Sequence, residues 1–212
     1  MIIKAVIFDM DGVLIDSEPH YADDLYRFLK SQGVSIAREE MNRMAGAQWI
    51  KTEEWMAGLM EVSLVELRER YAHRSNEFKA DYRAWLNPGV EEVLAYLKEK
   101  GIKLAIASST MLSEIEKMVK INGIGHYFDA LVSGHDLPES KPSPMIYFNT
   151  MQILGVTGEE ALAVEDSTLG IVAAKRAGLR VIAKRDERFG FNQRDADFMV
   201  DELIQIKKIC DD

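Results

Sequence analysis

The stretch that most constrains the fold is Ile7-Phe8-Asp9-Met10-Asp11-Gly12-Val13-Leu14. Its first half closes an almost unbroken apolar run (Ile2, Ile3, Ala5, Val6, Ile7, Phe8), the pattern of a strand buried on both faces of a parallel sheet. Two carboxylates follow at once. Residues i and i+2 of an extended backbone point the same way, so Asp9 and Asp11 can lean toward one spot at the strand's carboxyl end. Such a pair repels, and each raises the other's pKa, unless a cation sits between them. Taken alone, the stretch equally fits a turn in which one Asp caps, the other is solvated, and Gly12 allows the tight exit.

After Leu14 the period changes from strand to helix. Tyr21, Leu25, Phe28 and Leu29 fall at helical spacing, with Asp23, Asp24, Arg27 and Lys30 opposite and Gly33 as a stop. Further helical segments are expected at Arg38–Met44, Trp49–Met60 and Leu64–Lys79, with Met41, Met44, Trp49, Trp55, Met56 and Met60 as packed interior. Asn87-Pro88-Gly89 marks a restart, Asn87 reading as N-cap and Pro88 as the first helical residue before Val90, Val93, Leu94 and Leu97. From there strands and helices alternate. Strands are expected at Lys103–Ala107, Ala130–Val132, Ala161–Val164, Val181–Ala183 and Phe198–Val200, and helices at Leu112–Ile121, Met145–Leu154, Leu169–Ala177 and Glu202–Ile209. The expected fold is α/β, a Rossmann-like parallel sheet with helices on both faces, formed by residues 1–15 and 88–212. Residues 16–87 are expected to form an inserted all-helical cap domain.

Composition narrows the partners. The 212 residues, 47% hydrophobic and 29% charged, carry a formal net charge of -9 with no basic patch, so a nucleic-acid partner is not expected and attraction for an anionic substrate must be local. No apolar run is long enough to span a membrane, and Asp9 and Asp11 interrupt the first one before it could serve as a signal-peptide core, so a cytoplasmic protein is expected. The one cysteine, Cys210, reads as a reduced thiol, and the four histidines lack metal-ligand spacing. A monomer is the simplest state, with an oligomer left open.

In an open parallel sheet, ligands sit beyond the carboxyl ends of the strands, and those ends are chemically specific here. Asp9 and Asp11 follow the first strand, Ser108, Ser109 and Thr110 the second, Lys141 the third after a loop, and Glu165 and Asp166 the fourth. Each has a plain alternative. The hydroxyls can cap a helix, the lysine can be solvated, and the acidic pair can be an N-cap and its neighbour. Together, though, four carboxylates at neighbouring strand ends call for a divalent cation, and all-oxygen ligands suit Mg²⁺. Pro142 and Pro144 stiffen the loop that carries Lys141. A metal, an ammonium and a hydroxyl match three equatorial phosphoryl oxygens. A carboxylate is left to attack, and another to give and take the proton.

These four segments, in order and spacing, resemble the four motifs of the haloacid dehalogenase superfamily over the whole sheet domain. The resemblance implies Asp9 as nucleophile, Asp11 as general acid/base, Ser108 as phosphate-binding hydroxyl and Lys141 as charge-balancing lysine. It further implies Mg²⁺ held by Asp9, the backbone carbonyl of Asp11, Asp166 and, directly or at one remove, Glu165. Backbone N–H groups of Met10, Asp11 and Ser109 would help to hold the phosphate. The position of the helical insertion, and the lead-in Asp16-Ser17-Glu18-Pro19, resemble the cap of the β-phosphoglucomutase-like phosphatase branch.

The expected activity is Mg²⁺-dependent hydrolysis of a small phosphate ester, a sugar phosphate first among them. A dehalogenase of the superfamily would lack Asp11, because halide leaves without a proton. The alternative is a sugar-phosphate mutase, which would need a second phosphate site in the cap. Mutases that resemble this chain carry an arginine soon after the cap glycine, whereas Gly46 is followed here by Ala47, Gln48 and Trp49. Those mutases also carry a lysine further on, whose role only Arg74 could fill, while Lys51 could reach the same region; His20 and Trp49 are further cap residues that could face substrate. A non-enzymatic phospho-receiver module is the remote alternative; it leaves Asp11 and an insertion of about seventy residues, far beyond ordinary loop length, without a role. Met145 stands where related sequences have an acidic residue, which bears on how the lysine loop is held.

Overall fold

The computed structural model describes residues 3–47, 49–74 and 80–211. Ile2 of the first apolar run, Gln48 and the end of the expected 64–79 helix lie outside the described residues. The chain forms two compact units, Met1–Asp16 with Tyr82–Asp212, and Ser17–Asp81. The return boundary falls at Asp81/Tyr82 rather than after Asn87. The cause is pairing between the crossing segments: Asp16 N–H donates to Trp85 C=O (2.8 Å), Asn87 N–H donates to Leu14 C=O (2.9 Å), and Ile15 bridges Leu86. That pairing draws residues 82–87 into the first unit.

Strands β1 (Ala5–Phe8), β2 (Lys103–Ser108), β3 (Ala130–Ser133), β4 (Ala161–Glu165), β5 (Arg180–Lys184) and β6 (Phe198–Val200) form one sheet, ordered β3-β2-β1-β4-β5-β6 and parallel throughout. Alternate residues divide the two faces. Ala5, Ile7, Ala105, Ala107, Ala161, Ala163, Val181 and Ala183 join one core cluster with helices α6 (Met145–Leu154) and α7 (Thr168–Arg176). Val6, Phe8, Leu104, Ile106, Leu162, Val164 and Ile182 are buried at the intervening positions. Helices α4 (Val90–Glu99) and α5 (Leu112–Asn122) pack on β2 and β3 respectively, and the short α8 (Ile206–Asp211) packs on α4. The alanines under α6 and α7 let those helices approach the sheet closely, which matters for the site.

Both edge strands are anchored by an aspartate one residue ahead of them. Asp129 N–H donates to Leu104 C=O while its carboxylate accepts Leu104 N–H, and Asp197 makes the same exchange with Val181. Lys98 and Lys175 complete the two clasps. The expected N-cap at Asn87 is displaced: α4 begins after Gly89, whose φ of 78° sets the turn, and the Asn87 amide instead donates to Val13 C=O (2.7 Å). The closing helix divides into a 3₁₀ turn, Leu203–Gln205, and α8.

The second unit comprises α1 (Glu18–Ser31), a 3₁₀ segment Arg38–Met44, α2 (Trp49–Met60) and α3 (Leu64–Ala72). Leu25, Phe28, Leu29, Met41, Met56 and Leu67 form its core, with Met44, Trp55 and Met60 packed at the edge. Trp49 departs from the expected interior: it is 43% exposed, its ring lying 5.3 Å from that of Tyr71. Among the described residues no helix is long and apolar enough to cross a membrane.

Candidate active site

The strand order reverses direction about β1, with β2 on one side and β4 on the other, and residues at the carboxyl ends of β1, β2 and β4 share one place. Asp9 extends the β1–β4 pairing by one residue, its N–H donating to Val164 C=O (2.9 Å). The chain then turns back on itself. Leu14 and Ile15 N–H both donate to Met10 C=O, and Gly12 N–H donates to Ile15 C=O. Gly12 takes φ 76°, and a Cβ there would stand 2.0 Å from Asp166 Oδ2. Glycine is therefore needed both for the turn and for the approach of β4's acidic pair.

Carboxylate oxygens of Asp9, Glu165 and Asp166, all buried, lie within 4.8 Å of one another. Lys141 reaches them from the loop after β3. Its buried ammonium donates to Glu165 Oε1 (2.6 Å), Asp9 Oδ1 (2.7 Å) and Ala107 C=O (3.1 Å). Met145 therefore does not leave the lysine adrift: three acceptors around Nζ hold it.

The Asp11 carboxylate lies outside this trio and faces β2's end. It accepts the Thr110 hydroxyl at 2.7 Å and the Ser108 hydroxyl at 3.4 Å. Thr110 is itself fixed, its N–H donating to Ser108 Oγ (3.1 Å) and its C=O accepting the Ser133 hydroxyl (2.7 Å). These hydroxyls do not cap α5, whose N-cap is Met111. Nor do the acids cap α7, where Ser167 accepts the Gly170 N–H. Met10 is buried in the turn, and Ser109 is exposed beside Ser108.

Burial dominates the electrostatics. It pushes the Asp9 carboxyl up to about 7; Lys141 opposes this, while the Glu165 and Asp11 charges add to it. Burial alone would lower Lys141, but the Asp9 and Glu165 carboxylates outweigh it and hold the ammonium charged, above the ordinary lysine value. One ammonium thus serves two carboxylates and cannot neutralise both. Glu165 Oε2 is buried with no hydrogen-bond partner, a costly condition that a cation would relieve. The donor set is all oxygen, as hard divalent ions require. The trio therefore fits a divalent metal.

Other contributors lay beneath sequence reading. The Tyr147 hydroxyl donates to Glu165 Oε1 at 2.5 Å, and burial followed by the Glu165 charge holds that phenol protonated. A Cβ on Gly170 would lie 2.1 Å from the Glu165 carboxylate. The Gln193 amide donates to Asp166 C=O (2.6 Å) and Lys184 C=O (2.7 Å), and Lys184 Nζ donates to Gly12 C=O (3.0 Å). Tyr147 and Gly170 look like core and helix residues in sequence, and Gln193 like loop. No pattern marks them.

His20, Trp49, Lys51 and Arg74 belong to the helical unit. His20 is exposed on α1, and Lys51 pairs with Glu54 at 2.8 Å. Arg74 lies 3.2 Å from the buried Asp24 carboxylate, with its guanidinium 3.7 Å from the centre of the Tyr71 ring.

A parallel sheet whose switch point gathers three carboxylates, a lysine and hydroxyls is suited to phosphoryl transfer. The sequence profile of the haloacid dehalogenase-like hydrolases matches residues 6–184, and the chain belongs to that family. It stands in the family's phosphatase branch. A phosphorylated carbohydrates phosphatase of Thermotoga maritima is 37% identical over 183 residues, 84% of this chain and 83% of the relative. Hexitol phosphatase B of Escherichia coli K12 is 36% identical over 201 residues, 88% of each chain. Among solved structures, CbbY from Rhodobacter sphaeroides in complex with phosphate superposes with a TM-score of 0.75 at 28% identity, covering 95% of both chains.

Proposed function

We propose that the chain hydrolyses small phosphate monoesters, sugar and sugar-alcohol phosphates first among them, through an aspartyl-phosphate on Asp9. The observation that carries this is the division of labour between the two first-strand aspartates. Asp9 sits with Lys141 and the acidic pair, while Asp11 stands apart on Thr110 and Ser108. One carboxylate is placed among charge-balancing groups, and its neighbour beside the hydroxyls of Thr110 and Ser108.

An Asp9 carboxylate oxygen attacks phosphorus, and the bond from phosphorus to the ester oxygen breaks. Asp11, protonated at this stage, gives its proton to the departing alkoxide. The resulting Asp11 carboxylate takes a proton from water as that water attacks the phosphoryl group. The Asp9–phosphorus bond breaks and inorganic phosphate leaves. Lys141 and the Ser108 hydroxyl, with backbone N–H groups of Met10, Asp11 and Ser109, hold the phosphoryl oxygens through both steps. Asp9, Asp166, the Asp11 carbonyl and Glu165 would hold Mg²⁺, which when bound supplies positive charge that draws electron density from the phosphoryl oxygens. The two relatives named for carbohydrate and hexitol phosphates support the substrate class.

The mutase reading stays second. Arg74, its best candidate for a second phosphate site, already has its charge answered by Asp24 and its face covered by Tyr71. The cap residues His20, Trp49 and Lys51 are proposed to contact the alcohol portion of the substrate.

Phosphate release across sugar, polyol and nucleotide phosphates with Mg²⁺, with acid-quench trapping of phosphoenzyme, tests the reading. Asp9→Asn keeps the fold and abolishes both turnover and trapping, since an amide is a poor nucleophile. Near-normal turnover in that variant refutes the covalent route, and isomerisation outpacing hydrolysis on hexose 1-phosphates with a bisphosphate primer installs the mutase.

A further inference from the structure

The two oxygens of Glu165 are used unequally. Oε1 accepts from both the Lys141 ammonium (2.6 Å) and the Tyr147 hydroxyl (2.5 Å), whereas Oε2 is buried with no hydrogen-bond partner. A carboxylate oxygen with two close donors has its in-plane acceptor directions occupied. The lysine does not by itself select that oxygen. Its ammonium rotates on a flexible stem and also serves Asp9 and Ala107 C=O, so it can address either oxygen of Glu165.

Tyr147 is built differently. Its ring is fully buried in the cluster that includes Ala105, Ala107 and Ala163, where the small strand residues leave room for a phenol. A rigid ring so packed aims its hydroxyl in one direction. Gly170 offers no side chain, and both Glu165 oxygens lie 2.1 Å from where its Cβ would stand. The carboxylate is therefore held at Oε1 by Tyr147 and closely approached by the α7 backbone.

We propose that Tyr147 is a positioning residue for the cation site: its O–H holds Glu165 Oε1 and so keeps Oε2 for the metal. This rests on the Mg²⁺ reading above. A phenol that orients a ligating carboxylate acts through metal affinity, and loss of such outer partners typically weakens binding by about 10- to 100-fold.

Tyr147→Phe removes one oxygen and preserves the ring. The full chain is titrated with Mg²⁺ alone, and the thermal midpoint is followed to saturation. The Mg²⁺ concentration giving half the shift rises roughly 10- to 100-fold in the variant. The Mg²⁺ concentration giving half-maximal phosphate release rises by the same factor. Tyr147→Phe added to Glu165→Gln moves the half-shift no further, because the phenol acts through that carboxylate. A Tyr147→Phe half-shift equal to the parent's, with only the metal-free midpoint lowered, overturns the proposal and leaves Tyr147 a packing residue. A parent that shows no Mg²⁺ shift overturns the metal reading itself, and the proposal with it.

Discussion

Replacing Gly170 by alanine is expected to destabilise the chain, although alanine is the better helix former by about 1 kcal/mol. Gly170 lies in the first turn of α7, and an alanine Cβ there would stand 2.1 Å from the Glu165 carboxyl carbon and both its oxygens. Restoring ordinary contact requires the carboxylate or the helix to retreat by roughly 1 Å or more, the kind of overpacking that costs about 1–3 kcal/mol. If the carboxylate retreats, Oε1 moves from 2.6 Å and 2.5 Å to beyond hydrogen-bond range of Lys141 and Tyr147. Hydrogen bonds to charged groups contribute about 1.5–3 kcal/mol each, so losing both and keeping the helix gain leaves a net loss of about 2–5 kcal/mol. For a chain of this size that is a fall in melting temperature of roughly 4–20 °C. The control is Gly58→Ala in α2, where nothing lies within 4 Å of the added Cβ, and a gain of about 0.5–1 kcal/mol is expected. Thermal unfolding followed by circular dichroism, with and without Mg²⁺, reads both. A Gly170→Ala protein as stable as the parent and with the parent's Mg²⁺ requirement refutes the claim that this glycine makes room for Glu165.

Thr110→Val keeps the branched shape but removes the hydroxyl 2.7 Å from Asp11. With Asp11 as general acid/base, kcat/KM should fall roughly tenfold, about 1.4 kcal/mol, while Thr110→Ser retains most of it; equal losses in the two variants would discredit the hydroxyl's role. Stability at low pH should report the β3 clasp. Burial pushes the Asp129 carboxyl up, but the Leu104 N–H and the Lys98 ammonium outweigh it, so it titrates below the ordinary aspartate value. A folded-state pKa below the unfolded one gives stability that is present above the unfolded value and fades as pH falls through the folded one. Asp129→Asn should therefore have a lower urea midpoint than the parent at pH 7, and the gap should narrow below the ordinary aspartate range; a gap that is constant with pH assigns it to packing.

The sheet is legible in the sequence because parallel strands covered on both faces read as short apolar runs between helices, and a polar group after each run marks the ligand-binding end. Strand ends that are far apart in the chain become neighbours through pairing, so Asp9, Lys141, Glu165 and Asp166 can be read as a group from the sequence. What escapes is whatever depends on where an ordinary residue points. Tyr147 sits in an apolar helix and looks like filling; its phenol matters only because alanines beneath it let the ring reach Glu165. Asn87 has an N-cap's chemistry and an N-cap's position, yet its amide is drawn to Val13 C=O and Gly89 turns the chain instead. Trp49 looks like core because tryptophan usually is, while the core of its unit is already filled by Phe28, Leu29, Met41 and Met56.

The site is made by absent side chains as much as by present ones. Three buried carboxylates can stand within 4.8 Å of one another because Gly12 yields space to Asp166, Gly170 yields it to Glu165, and the alanine-lined face admits the ring that steadies Glu165. Against them the structure sets one buried ammonium, so the trio carries an excess of negative charge that folding alone would not select. The chain as a whole offers no remedy: at a net charge of -9 its long-range field repels a phosphate ester. On the proposed reading a divalent cation cancels the local excess, and only then do Lys141 and the hydroxyls of Ser108 and Thr110 present a surface that attracts an anion. Affinity for the ester should accordingly be conditional on the metal, and the small residues that let the carboxylates crowd together are what make that condition available.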